Sequence, residues 1–256
     1  MRARIDRIAG VTCDVMSNLP FNQISDPLTD TPASQDATKL KKPASDPTFM
    51  VGERFVSAVA LAVELHRGHA RKQQGIPYIS HLMDVSALVM QYGGNEDQAI
   101  AALLHDGPED NGGRATLERI QRQFGDHVAR MVGDCSDSFE GEDDGLDWVG
   151  RKQAHMDRFR EFGLVESCLV YTADKISNTR TLTAYLRRCG AAAWSAFNSD
   201  PEQKVWYMRG MAAIFRERET ASGKTGSRAL DALAAVDELD RSLDTLEQVM
   251  HQVSHG

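Results

Sequence analysis

The sequence predicts an all-α protein, and three observations support this prediction. From Glu53 onward, apolar residues recur three and four positions apart, which is the period of a helix that buries one face. No stretch alternates apolar and polar residues between turn signals, as the strands of a sheet do. The chain has 256 residues, of which 41% are hydrophobic and 26% charged, enough to build one sizeable core.

The first 49 residues differ from the rest of the chain. They are rich in Pro, Ser, Thr, Asp and Asn and poor in apolar groups, so we expect a disordered, flexible tail. Met50 precedes the first periodic stretch, and a misplaced start codon would also explain the upstream segment. We expect three parts: a tail (1–49), a helical domain (50–220) and a C-terminal amphipathic helix (221–256).

The first three helices are predicted from apolar stripes and from the turn that ends each of them. The first helix presents one face with Phe55, Val59, Ala62, Val63 and His66. The second helix, which the YGGN turn ends, repeats the pattern with Leu82, Val85, Leu88 and Val89. The third helix is predicted over 96–106, where Gly107-Pro108 terminates it.

The second half of the chain continues the helical pattern. Thr116 predicts the N-cap of a short helix that stops at Gly125, with a further short helix to about Val132. An acidic loop, DCSDSFEGEDDGLDW, follows and reads as a solvated lid. Further helices are predicted over 148–162, 164–189 and, more loosely, 191–219.

The last segment, 227–253, has the spacing of a heptad seam. Its apolar residues lie three and four positions apart at Val236, Leu239, Leu243, Leu246, Met250 and Val253. The pattern favours a helix that packs on its own domain, with a dimerising coiled coil as the alternative. A homo-oligomer formed through 227–253 is therefore one of two alternatives.

Charge and cysteine usage exclude several classes of protein. The net charge of −8 argues against a general binder of nucleic acid or of membrane surfaces, which would need a basic footprint. No apolar run approaches the roughly 20 residues of a membrane helix. The four cysteines form no CxxC pair, so we expect a reducing, cytoplasmic compartment.

The stretch LLHDGPED (103–110) places a His-Asp and a Glu-Asp pair directly after a helix that reads as buried. Because burying unpaired charge is costly, either the stretch meets water at once or a cation neutralises it. A mixed shell of two imidazoles and two carboxylates is available from His81, His105, Asp106 and Asp174. Such a shell suits Mn²⁺, with Fe²⁺ or Zn²⁺ as alternatives.

Three separated motifs, HARKQQGIPYISH, ALLHDGPED and TADKISNTRTL, occur in order over about residues 53–215. Together they resemble the motifs of the RelA/SpoT-type HD-domain hydrolases. In particular, the chain is similar to the small alarmone hydrolases, stand-alone enzymes that remove the 3′-pyrophosphate of ppGpp. The resemblance implies an HD-domain helical bundle over 50–220.

The resemblance also implies a role for each matched residue. Mn²⁺ would be held by His81, His105, Asp106 and Asp174. The attacking water would be positioned and deprotonated by Glu109 and Asp110. The guanine base would be held by Arg71 and Lys72, with Tyr78 either as a pocket wall or in the core. The ribose and phosphates would meet Asn178, Thr181, Arg151, Lys152, Lys175 and Arg180.

The motifs depart from the family pattern at three places. Gly107-Pro108 stands where small or β-branched residues are common, which can change the entry angle of Glu109. TADKISN replaces LADRLHN, and its lysine cannot form the bidentate fork of an arginine. His69 stands where the family often has glutamine.

The implied activity is the metal-dependent hydrolysis of the 3′-pyrophosphate of (p)ppGpp to GDP or GTP and pyrophosphate. One alternative is an HD-domain phosphohydrolase of another nucleotide, including removal of the 2′-phosphate of NADPH. The other alternative is a non-catalytic nucleotide-binding module, against which the intact Glu109 and Asp110 argue. The expected partner is a small guanine nucleotide, and neither nucleic acid nor a membrane is expected.

Overall fold

A computed structural model of the chain describes residues 51–71, 75–137, 145–196, 200–223 and 227–255. The predicted tail (1–49), Lys72 and part of the acidic loop (138–144) lie outside these ranges. Within the described part, extended pairing is limited to one isolated bridge between Ala70 and Pro77. The prediction of an all-α fold is confirmed.

Ten α-helices and one 3-10 segment make up the described part of the chain. In order they are α1 (Glu53–Leu65), α2 (Ile79–Gln91), α3 (Glu96–Leu104), α4 (Gly107–Asp110), α5 (Gly113–Phe124), α6 (Asp126–Cys135), α7 (Trp148–Phe162), α8 (Val165–Cys189), the 3-10 segment (Gly190–Ala196), α9 (Pro201–Ala221) and α10 (Ser227–His255). Among the helices of the described residues, none is both long enough and apolar enough to cross a membrane.

Helix α3 runs through the core and ends at the His-Asp pair. Asn95 caps it through reciprocal hydrogen bonds with Gln98. Every residue from Gln98 to Leu104 is buried, because α3 packs against α1, α2, α6 and α8. The apolar helix therefore carries His105, at its C-cap, into the interior of the bundle.

The Gly107-Pro108 pair begins a helix, which corrects the prediction that it only ends one. Pro108 lies in the first turn of α4, where its missing N–H costs nothing because first-turn N–H groups have no partner within the helix. A Cβ at Gly107 would lie 3.1 Å from Leu65 Cδ1, so glycine allows α1 to approach closely. The turn thus holds the short α4 against α1 and α5.

The predicted N-cap at Thr116 is wrong. Helix α5 begins at Gly113, after Gly112 turns the chain with a φ of 82°, a conformation that glycine adopts without strain. Thr116 lies inside the helix, and its buried hydroxyl donates to the carbonyl of Asn111. A glycine turn therefore determines where α5 starts, and the threonine secures that turn from within the helix.

The predicted stripes agree with the structure except at one position. Leu82, Val85, Leu88 and Val89 of α2 are all buried, as are Ala62 and His66 on the α1 stripe. Val63, expected on the same face of α1, is exposed.

Helix α8 is the central element of the bundle. It has 25 residues and packs against α2, α3, α6, α9 and α10. Its buried face includes Asp174, an ionisable side chain that a helical core tolerates only with a partner of opposite charge or several hydrogen bonds. The helix therefore positions a carboxylate in the interior, opposite the end of α3.

The heptad seam of α10 is covered by the same chain. Val236, Leu239, Leu243 and Leu246 are buried where α10 packs on α8 and α9, within one compact unit. Surface ion pairs also join α10 to α9 and α8, including Arg209 Nη2–Asp244 Oδ1 at 2.5 Å and Arg180 Nη2–Glu238 Oε1 at 2.9 Å. Of the two alternatives for this segment, the structure has the intramolecular one. A second copy could use the same seam only if these contacts opened.

Candidate metal centre and adjoining cleft

Four separate positions of the fold bring the predicted ligand residues together. His81 lies in the first turn of α2, His105 at the C-cap of α3, Asp106 at the N-cap of α4 and Asp174 in the middle of α8. His81, His105 and Asp174 are buried, and the Asp106 side chain is 18% exposed.

The distances between their donor atoms are short. His81 Nε2 lies 3.2 Å from Asp174 Oδ1 and 3.6 Å from Asp106 Oδ2. His105 Nε2 lies 3.1 Å from Asp106 Oδ1 and 3.6 Å from Asp174 Oδ1. Ligand atoms of His81, His105 and Asp106 all fall within 4.8 Å of one another, the spacing that a single metal ion requires.

Neighbouring groups aim both imidazoles toward the carboxylates. His105 Nδ1 lies 2.8 Å from the Ala102 carbonyl, which can only accept, so the Nδ1–H donates and the neutral ring has its lone pair on Nε2. His81 Nδ1 likewise contacts Ser177 Oγ at 3.1 Å. Metal-ligating histidines are typically oriented by such a bond at the second nitrogen.

The donor set passes a simple test of fit for a dication. His105 Nε2 is buried and has no hydrogen-bond partner within the described residues, although two carboxylates lie close to it. Burial alone would lower the pKa of His105, but Asp106 and Asp174 outweigh it and raise that pKa well above 6.5. The cluster therefore attracts positive charge strongly, and two imidazoles with two carboxylates are ligands that suit a divalent transition metal.

Tyr78 belongs to the surroundings of this cluster. Its hydroxyl donates to Asp106 Oδ2 at 2.7 Å, and its ring stacks on His66 with the centroids 4.8 Å apart. Burial, followed by the negative charge of Asp106, raises the pKa of Tyr78, so the phenol stays protonated and donates. Of the two predicted roles, pocket wall or core, the structure favours a third, a hydrogen-bond donor to a candidate ligand.

The predicted acid pair, Glu109 and Asp110, divides between two environments. Glu109 is half-buried, and its Oε1 accepts from the Asp137 backbone N–H at 2.9 Å. Burial and then the charge of Asp137 raise the pKa of Glu109 well above its ordinary 4.5. Asp110 is exposed at the end of α4.

Beside the cluster lies a cavity of about 230 Å³. Its lining includes the predicted residues Arg71, Lys152, Lys175, Asn178 and Thr181. Three of these five side chains are cationic, in a chain with a net charge of −8. A local basic cluster of this kind suits a polyanionic small ligand.

The predicted cations of the cleft contact other protein groups. Lys175 Nζ lies 2.8 Å from Asp174 Oδ2, Lys152 Nζ lies 2.6 Å from Asp137 Oδ2, and Arg71 donates to Asn178 Oδ1 at 3.0 Å. These contacts fix the positions of the three cations before any ligand binds.

Two other predicted residues lie outside the lining of this cavity. Arg151 donates to the Leu146 carbonyl and lies outside the described lining of the cavity. Arg180 pairs with Glu238 of α10 and also lies outside the described lining of the cavity, so its expected role beside the phosphates stays a prediction. Lys72 falls outside the described residues.

Sequence reasoning missed five residues of the lining. These are Trp148, Leu182, Lys204, Tyr207 and Met208. Trp148 precedes Lys152 by four positions and so shares its face of α7, a signal that was present in the sequence. Leu182 lies on α8 as the last residue of the motif TADKISNTRTL. Lys204, Tyr207 and Met208 lie on α9, outside every recognised motif, and only the packing of α9 against α7 and α8 brings them to the cleft.

An all-helical bundle with a buried His-Asp pair beside a second histidine and a second aspartate defines a class of protein, the helical metal-site domain of the HD type. Comparison with known proteins agrees. The family described as "HD domain" matches residues 58–196. The chain belongs to the HD-domain family, a fold that works with a divalent metal ion.

Two relatives and one solved structure extend this result. The guanosine-3′,5′-bis(diphosphate) 3′-pyrophosphohydrolase MESH1 of Danio rerio is 33% identical over 172 residues, 64% of this chain and 89% of that protein. The Aquifex aeolicus (strain VF5) protein named guanosine-3′,5′-bis(diphosphate) 3′-pyrophosphohydrolase is 28% identical over 141 residues, 52% of this chain, and the chain spans 18% of its length.

The solved structure is a metazoan orthologue of SpoT, described as hydrolysing ppGpp. It matches with a TM-score of 0.55 at 22% identity, covering 75% of this chain and 97% of its own. At that identity the match shows the fold. The resemblance to RelA/SpoT-type HD-domain hydrolases, inferred from three motifs, is confirmed by the family and by the MESH1 relative.

Proposed function

We propose that this protein is a metal-dependent hydrolase of the 3′-pyrophosphate of ppGpp or pppGpp. The products are GDP or GTP and pyrophosphate. The observation that carries the proposal is the convergence of His81, His105, Asp106 and Asp174, with Glu109 nearby and a cation-lined cavity alongside. The MESH1 relative, whose name describes this activity, supports the same reaction.

In this proposal, His81, His105, Asp106 and Asp174 hold Mn²⁺. When bound, the ion supplies Lewis acidity that polarises a phosphoryl oxygen and lowers the pKa of a water molecule. Asn178 Nδ2, at 2.5 Å from Asp174 Oδ1, and Lys175, at 2.8 Å from Asp174 Oδ2, hold the Asp174 carboxylate in one orientation. Metal ligands oriented in this way need little rearrangement to bind.

Glu109 is the proton acceptor in this mechanism. A carboxylate whose pKa is raised above its ordinary value, as burial and Asp137 raise that of Glu109, is a stronger proton acceptor. Water attacks phosphorus, its proton passes to Glu109, and the bond between phosphorus and the ribose 3′ oxygen breaks. That oxygen keeps the electron pair and takes up a proton. Asp110, exposed on the same short helix, helps to orient the water.

The cavity accounts for the rest of the nucleotide. Arg71 is buried, its guanidinium lies 5.8 Å from the Tyr78 ring centroid, and its flat face suits stacking on guanine, with Lys72 as its neighbour in the chain. Asn178 and Thr181 line the wall that meets the ribose. Lys175, which also lines the cavity, offsets the charge of the phosphates.

The compartment we propose is the cytoplasm. Cys135 and Cys168 are buried free thiols, which agrees with a reducing environment.

The test is to incubate the purified chain with Mn²⁺ and ppGpp and to measure pyrophosphate. Asp174→Ala is expected to lower release at least about 100-fold, more than the loss of an outer-shell partner would. Asp84→Ala, which changes an exposed carboxylate on α2, is the matched control and keeps full activity. No release by the wild type, or equal release by Asp174→Ala, contradicts the proposal. A parallel panel with pppGpp, other nucleotides and NADPH identifies the preferred substrate.

A further inference from the structure

Glu109 needs support from outside its own helix. Helix α4 is a single turn of four residues, too short to hold a side chain rigidly by itself. The Asp137 backbone N–H supplies an anchor by donating to Glu109 Oε1 at 2.9 Å. The orientation of the proposed proton acceptor therefore depends on the segment that follows α6.

That segment is firmly attached to two helices. Ser136, which precedes Asp137, is buried, and its N–H donates to the Gly133 carbonyl at the end of α6. Its carbonyl accepts from Arg158 Nη2 of α7. The N–H group that Glu109 meets is consequently held in place by α6 and α7 together.

The Asp137 side chain continues the contact into α7. Its Oδ2 lies 2.6 Å from Lys152 Nζ, and the two side chains are only 11% and 18% exposed. Lys152 Nζ in turn lies 4.9 Å from the Tyr207 ring centroid on α9 and 5.8 Å from that of Trp148. An ion pair with so little exposure is weak evidence for stability, because desolvation offsets its attraction.

We propose that Asp137 is a positioning residue for Glu109, and that Lys152 acts on the reaction through Asp137 rather than as a direct ligand of substrate phosphate. Lys152 holds the Asp137 carboxylate, which orients the peptide N–H that meets Glu109 Oε1. The inference rests on the proposed function, since it states how the proton acceptor of that reaction is held.

The charges of the arm formed by Glu109, Asp137 and Lys152 agree with this role. Burial raises the pKa of Asp137, but Lys152 outweighs it and lowers that pKa to about 2, so Asp137 remains ionised. A permanent negative charge beside Glu109 makes Glu109 a stronger proton acceptor. The arm thus combines an orienting hydrogen bond with a tuning charge.

The experiment compares Asp137→Asn, Lys152→Met and the double variant with the wild type in steady-state hydrolysis of ppGpp. Asp137→Asn keeps the shape and the backbone N–H but removes the charge that Lys152 holds. We expect kcat to fall roughly 10- to 100-fold in each single variant with little change in KM, as misplacement of a reacting group does. If the two residues act in series, the double variant is no slower than either single variant.

A matched control lies on the same helix. Asp157→Asn breaks the exposed Asp157–Arg160 pair of α7 and is expected to leave kcat and KM unchanged. Mn²⁺ titration followed by electron paramagnetic resonance is expected to give one affinity for all five proteins, because the arm does not hold the metal. Thermal unfolding checks each variant, and the double variant, which buries no unpaired charge, covers the case in which one single variant fails to fold.

Three results would overturn the inference. One is an Asp137→Asn or double variant with the kcat of the wild type. Another is a Lys152→Met variant that raises KM at unchanged kcat, with effects that multiply in the double variant, since Lys152 would then bind substrate directly. The third is weaker Mn²⁺ binding in Asp137→Asn. A wild type that binds Mn²⁺ but releases no pyrophosphate would instead contradict the proposed function itself.

Discussion

The metal cluster and the arm of Glu109, Asp137 and Lys152 are built on different principles. In the metal cluster, His81, His105, Asp106 and Asp174 turn their donor atoms toward one point, and His105 Nε2 there lacks a hydrogen-bond partner among the described residues. In the arm, the groups pair with one another.

The difference separates binding from positioning. A buried polar atom without a partner costs free energy, so a site that retains one is typical of a place where a ligand completes the contacts. Charges that are already paired at 2.6 Å have less attraction left for a ligand, and they act mainly on their neighbours. The predictions below test whether the metal cluster and the arm are separable in this way.

Glu109→Gln is expected to separate catalysis from metal binding most clearly. The amide keeps the shape of the side chain and an oxygen that accepts from Asp137 N–H, but it cannot take a proton. We expect kcat to fall about 10²- to 10⁴-fold, with Mn²⁺ affinity unchanged. Pyrophosphate release and a Mn²⁺ titration measure the two quantities. A parallel loss of Mn²⁺ binding would show that Glu109 belongs to the metal cluster.

The stability of the fold around the arm should depend on a neutral histidine, His155. His155 is buried, accepts from Tyr207 Oη at Nδ1 (2.9 Å) and donates from Nε2 to the Asp134 carbonyl (3.0 Å). Burial lowers its pKa to about 4. The unfolded chain takes up this proton near pH 6.5, so the stabilisation is complete above 6.5 and is lost as the pH falls toward 4.

That loss amounts to at most about 3 kcal/mol of unfolding free energy. Urea unfolding at a series of pH values should show it in the wild type, and His155→Gln should flatten the dependence. A weaker pH dependence of the same sign should remain in the variant, because burial also lowers the pKa of His66 to about 4. If the unfolding free energy of His155→Gln depends on pH as steeply as that of the wild type, this role of His155 is contradicted.

Beside the metal cluster, Tyr78→Phe is expected to weaken Mn²⁺ binding. The change removes the hydrogen bond to Asp106 Oδ2 and leaves the ring stacked on His66. Loss of such an outer-shell partner typically raises the Kd about 10- to 100-fold. Tyr92→Phe, at the end of α2, is the control. An unchanged Kd would show that the carboxylate is oriented without the phenol.

The smallest effect expected is a shift in the pH profile. Glu109 is faced by Asp137, Asp106 and Lys152, and it also interacts with Lys175. Its pKa lies well above 4.5, so the wild-type rate should rise with pH as it ionises. Asp137→Asn removes a negative neighbour and releases the charge of Lys152, and both changes lower the pKa of Glu109. The acid limb of kcat therefore moves to lower pH, and an unmoved or raised midpoint would count against the arm.

Much of the fold follows from local pattern. The α7 helix was predicted over 148–162 and is observed over those residues, because periodicity and a capping aspartate, Asp147, coincide there. Thr116 shows the limit of such signals, since a threonine that favours an N-cap sits inside α5 once glycine turns at Gly112. Several neighbouring residues together determine where a helix begins, so a single N-cap residue does not determine it.

Local sequence pattern was enough to establish the helical class, the approximate position of most helices, the three motifs and the set of candidate ligands. These properties depend on residues within a few turns of one another, or on a pattern that the family shares. The tertiary structure alone decided that the seam of α10 packs on its own chain, that Arg180 turns away to Glu238, and that Asp137 meets Glu109. Those outcomes depend on distances between residues far apart along the chain, which helical period does not encode and only the packing of the bundle establishes.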